Sequence, residues 1–185
     1  MNNTKAPFRY DIVGSFLRPA ALMKMREAFA NGNATAEELR QAEDAAIRDL
    51  VAKEKEVGLC AVTDGEFRRR YWHLDFLAAL SGVEEVGTAH WSVAFKGAQP
   101  KATTVKIVGK VDFGAHPFLD HFRFLNDLAG DAVAKMTIPS PSMLHLICCV
   151  RATDYTPIPR YENEDALFED IALAYQKAIR AFYEA

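Results

Sequence analysis

A single glycine, Gly58, separates two incompatible periodicities, and this junction constrains the fold more than any other feature of the chain. On its N-terminal side, Leu39, Ala42, Ala46, Leu50 and Val57 recur at helical spacing. On its C-terminal side, Leu59 to Thr63 is apolar nearly throughout, as expected of a strand covered on both faces. The helix also carries its own start signal. In Thr35-Ala36-Glu37-Glu38 the threonine hydroxyl can accept an orphan amide hydrogen while the second glutamate reaches back, a capping box. A capped helix that passes through one glycine into a doubly covered strand is a building unit of parallel α/β architecture.

The same grammar recurs along the 185 residues. Arg9 to Val13 reads as a short strand closed by Gly14-Ser15. Pro19 opens a helix that stops at Asn31-Gly32. "WHLDFLAAL" and "HPFLDHFRFLNDLAG" read as helices, and Ala134 to Ile138 as a third buried strand. That strand runs into "PSPSML", where two prolines forbid further pairing. A short apolar helix and a proline-rich loop follow. Asn163 then caps a last helix with Phe168, Ile171, Tyr175, Ala178, Ile179 and Phe182 as its expected buried stripe. Between Val83 and Val111 the pattern changes: "HWSVAF" and "TTVKIVGKV" predict a hairpin-like, β-rich insertion. The length fits one domain or part of a larger one.

Composition narrows the function classes. A net charge of −3 leaves no basic surplus for nucleic acid or an anionic membrane surface. No stretch approaches the roughly 18 apolar residues of a membrane span, and the N-terminus lacks a signal-peptide core. Three cysteines, two of them adjacent at 148 and 149, fit a reduced, cytoplasmic protein. No metal-ligand spacing accompanies them, so no metal site is assigned to this chain.

Each predicted strand ends in a small or polar cluster: Gly14-Ser15, Asp64-Gly65-Glu66 and Pro139-Ser140-Pro141-Ser142. In a parallel sheet such loops share one face and carry the chemistry. Glu66 has two readings. It is a helix-start acid pairing with Arg68 to Arg70, or an exposed carboxylate accepting hydrogen bonds from a ligand ammonium or ring N–H. Gly14-Ser15 turns the chain, or offers an amide and a hydroxyl to a ligand carboxylate. The arginine run reads as a solvated face, and Trp72 and Trp91 as packing residues. His145 is the histidine nearest a predicted site loop.

"DIVGSFLRP", "TDGEFRRRYWHLDF" and "KMTIPSPSML", in this order, resemble the cobalamin-independent methionine synthase superfamily. The nearest resemblance is to its single-barrel branch of methyltetrahydropteroyltriglutamate–homocysteine methyltransferases, over essentially the whole chain. The resemblance implies a (β/α)8 TIM barrel of the methionine synthase/uroporphyrinogen decarboxylase type. It also implies methyl transfer from methyltetrahydrofolate to the homocysteine thiol, with zinc activating the thiol. Val13, Gly14 and Ser15 match the homocysteine-holding segment, and Glu66 the glutamate that contacts the amino acid. Ser140, Ser142 and His145, with Arg18 from the first motif, fall on the folate side; His145 stands nearest to where that family stacks a tryptophan on the pterin.

The family's zinc ligands, a histidine, two cysteines and a glutamate, lie on later strands that this chain does not reach. The expectation is therefore an N-terminal portion of one barrel, residues 1–185, supplying the amino-acid and folate binding part, either as a fragment or as a natural truncation. Uncovered barrel edges would favour self-association. Two other readings stand beside it: a thiol alkyltransferase of the same fold with another donor, and a non-catalytic truncated remnant.

Overall fold

The computed structural model describes residues 12–87, 103–150, 161 and 163–185. They group into two compact units. The first takes the described residues of Met1–Trp72 with Asp120–Thr137; the second takes His73–Leu119 with Ile138–Ala185. Most of the predicted Arg9–Val13 strand, "HWSVAF" with Trp91, and nearly all of the proline-rich loop lie outside the described residues; Ile12 and Val13 are not in a strand.

In the first unit, α1 spans Ala20–Ala30 and α2 spans Ala36–Glu56. The capping box at the head of α2 forms as read: the Glu38 amide donates to Thr35 Oγ1 at 3.2 Å and the Thr35 amide to Glu38 Oε2 at 2.7 Å. The helix keeps most of the expected face, with Ala46 buried and Leu39, Ala42 and Leu50 packed against the core, but the centre of the stripe is shifted and its last member is lost. Val57 is 75% exposed, and the buried positions are Glu43, Ala46, Ile47, Val51 and Glu54. The phase is set by where apolar partners stand. Ile47 and Val51 pack with Leu22 of α1, with Phe67, and with Leu125 and Ala129 of α4 (Pro117–Ala129), whose residues from 120 onward belong to this unit.

Both predicted central strands shrink to two residues, β1 at Ala61–Val62 and β4 at Val133–Ala134, paired in parallel. Beyond this pair, side chains take neighbouring backbone groups. The Thr63 amide donates to Glu54 Oε2 at 2.9 Å, and the Thr137 carbonyl accepts from Arg69 Nη2 at 2.6 Å. The Cys60 and Val62 carbonyls accept the Val133 and Lys135 amides, so the Thr63 amide faces away from β4 and Glu54 satisfies it on the other edge of β1.

In the second unit, the helix expected over "WHLDFLAAL" reduces to one turn, α3 at Leu74–Leu77. The β-rich stretch is an antiparallel pair, β2 (Ser81–Gly87) with β3 (Thr103–Asp112). Burial alternates along β3, the signature of a sheet with one covered face. A bulge between Ser81 and Val83 holds Gly82 at φ +76°, where a Cβ would lie 2.2 Å from the Lys110 carbonyl oxygen. Only glycine fits that crossing.

Helix α5 (Pro141–His145) runs into a π-type turn at Leu146–Val150, and α6 spans Glu164–Glu184, capped by the Asn163 side chain at 2.9 Å from the Ala166 amide. The stripe of α6 holds at Ile171, Tyr175 and Ala178, but Leu167 and Ala174 are buried beside them, while Phe168 and Ile179 are exposed. Lys177 reaches Asp112 at the end of β3 at 2.6 Å, an exposed ion pair between α6 and that strand.

Candidate functional site

The turn after β1 begins with Asp64, whose Oδ1 accepts the Glu66 amide at 2.9 Å. The Phe67 amide donates to the Asp64 carbonyl and the Arg69 amide to the Glu66 carbonyl. Gly65 and Glu66 are both left-handed, at φ +62° and +57°. At Gly65 a Cβ would fall 2.5 Å from Leu50 Cδ2, so the turn is pressed against α2. Glu66 has the only positive φ of any non-glycine residue among those described. Such a conformation costs about 1–3 kcal/mol and persists where surrounding structure over-determines it.

The strained turn aims one carboxylate. Glu66 Oε2 accepts from the Ser15 hydroxyl at 2.5 Å, and Oε1 accepts from the Thr137 hydroxyl at 3.0 Å. Arg69 Nη1 lies 3.5 Å from Oε1 and donates to the Trp72 carbonyl at 3.1 Å. The two motifs around Ser15 and Glu66 thus meet, with Thr137 of the third joining them. Beside them, Phe16 donates its amide to the Gly65 carbonyl, and Lys135 Nζ reaches the Ile12 carbonyl at 2.9 Å.

Two expectations are corrected here. Glu66 is not an exposed acid but a buried one, 5% exposed. A lone buried carboxylate would be unstable as an anion; the two hydroxyls and the guanidinium supply the compensation that burial requires. The arginine run is not a solvated face either. The Arg69 side chain is buried, and that of Arg68 nearly so, against Asp44 at 2.6 Å and over the Phe124 ring; Arg70 alone of the three is exposed.

The other predicted site residues are placed as follows. Val13 is exposed and Gly14 half-buried, leading into Ser15, itself exposed. Arg18 sends its guanidinium to the backbone carbonyls of Glu66, Phe67 and Arg69. Ser140, Ser142 and His145 belong to the second unit. There the two serine hydroxyls lie 3.0 Å apart, and His145 Nε2 meets Glu164 at 2.9 Å with its ring beside Phe168.

Sequence reasoning passed over Thr137 and Glu54. Glu54 sits in phase with Ile47 and Val51, at positions i+7 and i+3 from them, and such a carboxylate on a buried face is the signal that was available. It accepts the Thr63 amide and, at 3.2 Å, the Thr63 hydroxyl; burial chiefly, and the nearby Asp64 charge in part, raise its pKa. Thr63 Oγ1 in turn accepts the Gly65 amide at 3.1 Å, so Glu54 steadies the turn from below.

Nothing among the described residues fits a catalytic zinc ion: no group of three or more histidine, cysteine or acidic side chains could hold one. Burial pushes the Cys148 thiol up to about 12, and it donates to the Val105 carbonyl, the reverse of a thiolate ligand. No helix among the described residues is long and apolar enough to cross a membrane.

Known proteins share this chain over nearly its full length. No protein-family model matches it. Two Bacillus subtilis proteins, YxjH and YxjG, both uncharacterized, are 45% and 46% identical over 98% and 100% of the chain. A methionine synthase of Saccharolobus solfataricus is 23% identical over 94% of it. A Listeria monocytogenes crystal structure described as a "Putative Vitamin-B12 Independent Methionine Synthase" superposes with a TM-score of 0.78 at 44% identity, over 98% of this chain. The chain spans about half the length of each: 46%, 47% and 48% of the three relatives and 50% of the Listeria chain.

Proposed function

Because the chain belongs to the cobalamin-independent methionine synthase-like family, we propose that Glu66 and Ser15 hold the amino-acid end of a homocysteine-type thiol. The reaction served is methyl transfer to that thiol from methyltetrahydrofolate. The observation that carries this reading is the aimed, buried Glu66 carboxylate, brought to Ser15 across 51 residues of sequence by a strained turn. A carboxylate has about four acceptor positions, and a ligand ammonium adds charge-assisted hydrogen bonds to those from Ser15 and Thr137. The Ser15 hydroxyl, which donates to Glu66 without a ligand, can turn toward a ligand carboxylate together with the amides at Gly14 and Ser15.

The mixed α/β arrangement, with β1 and β4 paired in parallel, supports the N-terminal part of a (β/α)8 barrel as the architecture. Ser140, Ser142 and His145 are proposed for the folate side, since they follow the third predicted strand. Zinc is assigned no residue here and no step runs through it. This chain's own residues orient the amino acid, so the thiol is presented in one direction to its activator and to the methyl donor.

Titration calorimetry of the 185-residue chain with L-homocysteine under reducing conditions tests the reading. Glu66→Gln is expected to weaken binding by roughly 1.5–3 kcal/mol, one charge-assisted interaction. Unchanged affinity would return Glu66 to a purely structural role.

A further inference from the structure

The turn that carries Glu66 presents four successive carbonyl oxygens, those of residues 66 to 69, the first of which also accepts the Arg69 amide. Two guanidinium groups take all four. Arg18 Nη2 donates to the Glu66 carbonyl at 2.8 Å and to the Arg69 carbonyl at 2.7 Å, and its Nε to Phe67 at 3.2 Å. Arg26 Nη1 donates to Phe67 at 3.0 Å and to Arg68 at 3.4 Å, and its Nη2 to Arg69 at 3.2 Å. Two cations held this close repel, and Glu43 offsets the repulsion, its Oε1 3.1 Å from Arg26 Nη1. We infer that Arg18 and Arg26 are positioning residues. They clamp the turn from its carbonyl side and hold Glu66 in its left-handed conformation, so that its carboxylate stays aimed at Ser15 and Thr137.

The chemistry favours arginine over any other cation. The fork of a guanidinium binds two acceptors in fixed directions, whereas a lysine ammonium is a point charge on a flexible stem. A turn ending in unsatisfied carbonyls resembles a helix C-terminus, where positive charge is favourable. Arg18 lies three residues after Ser15, so the same short segment provides both the hydroxyl that meets the carboxylate and the clamp that fixes its backbone. The consequence for ligand binding rests on the amino-acid reading of Glu66; the clamp itself does not.

Amide hydrogen exchange on the 185-residue chain, with calorimetry against L-homocysteine, tests this. In Arg18→Ala the Phe67 and Arg69 amides, which close the turn, are expected to exchange on the order of tenfold faster or more, while the Val51 amide in α2 is unchanged. Homocysteine affinity falls in parallel. Arg18→Lys, which keeps the charge and loses the fork, serves if the alanine variant does not fold, and is expected to give a smaller increase at the same two amides. Exchange at Phe67 and Arg69 unchanged in a folded variant overturns the clamp. Faster exchange at those amides, in a chain whose wild type binds no homocysteine, supports the clamp and sinks the amino-acid reading. Faster exchange with homocysteine affinity unchanged leaves the turn held but removes any positioning role, and overturns the inference.

Discussion

Three ionisable residues show how local surroundings decide what a side chain does here. Glu66, Glu54 and His116 are all buried, and each is held by different partners. His116 stands before α4 in the second unit. Its Nδ1 accepts the Phe118 amide at 3.2 Å and its Nε2 meets the Phe76 carbonyl at 3.1 Å. A carbonyl can only accept, so Nε2 carries the proton and the ring is neutral. Burial lowers its pKa below the ordinary value, against a smaller opposite pull from the Phe76 carbonyl. Protonation would place a second N–H against the Phe118 amide. A depressed folded pKa means the unfolded chain binds the proton more readily, so this contribution is complete above about pH 6.5 and is lost as pH falls through the folded value. Urea unfolding at stepped pH should show stability declining below about pH 6.5, with a shallower decline in His116→Gln. Glu43 and Glu54, whose pKa values are raised by burial, act in the opposite sense, so the difference between variant and parent is the quantity to read.

Helices and strands respond differently to the same information. The heads of α2 and α6 are set by residues within four positions of each other, Thr35 with Glu38 and Asn163 with Ala166, and both form where the sequence places them. Thr35→Ala is accordingly expected to lower stability by about 0.5–2 kcal/mol with no effect on homocysteine affinity, measured by chemical denaturation and calorimetry. An unchanged denaturation midpoint would mean the cap is redundant. Strand limits had no such local determinant. β1 ends at Val62, and a glutamate from the preceding helix takes the Thr63 amide on the edge that faces away from β4, a partner that no pattern in Leu59 to Thr63 encodes. The faces of α2 and α6 match the expected stripes in part and shift for the same reason: Val57, Phe168 and Ile179 are exposed, while Ile47, Leu167 and Ala174 are buried. Apolar spacing admits two neighbouring phases, and tertiary partners choose between them.

Taken whole, the chain divides its chemistry unevenly. The proposed amino-acid side lies within the first unit, formed by Ser15, Glu66, Arg69 and Thr137. Cys148 is unsuited to metal, being buried against Val105, the nearby His145 is engaged by Glu164, and no group of three ligating side chains stands together among the described residues. Elemental analysis of the purified chain is expected to find zinc far below stoichiometry. A stoichiometric ion lost on His145→Ala or Cys149→Ser would overturn this and give the chain a metal site of its own.

The sequence by itself determined which residue types could meet. A helix–glycine–strand junction and three motifs in order implied an α/β chain, and they marked Ser15 and Glu66 before any coordinates. It also set the helix heads, because capping is a short-range interaction between side chain and backbone. Only the tertiary structure decided that Glu66 is buried and left-handed, that Arg18 and Arg26 hold its turn, and that Thr137 completes its hydrogen bonds. Those facts depend on contacts between residues 41 to 71 positions apart, and on desolvation. Burial converts an acid beside three arginines from a surface cluster into a fixed carboxylate, and burial is a property of the assembled core rather than of any segment within it.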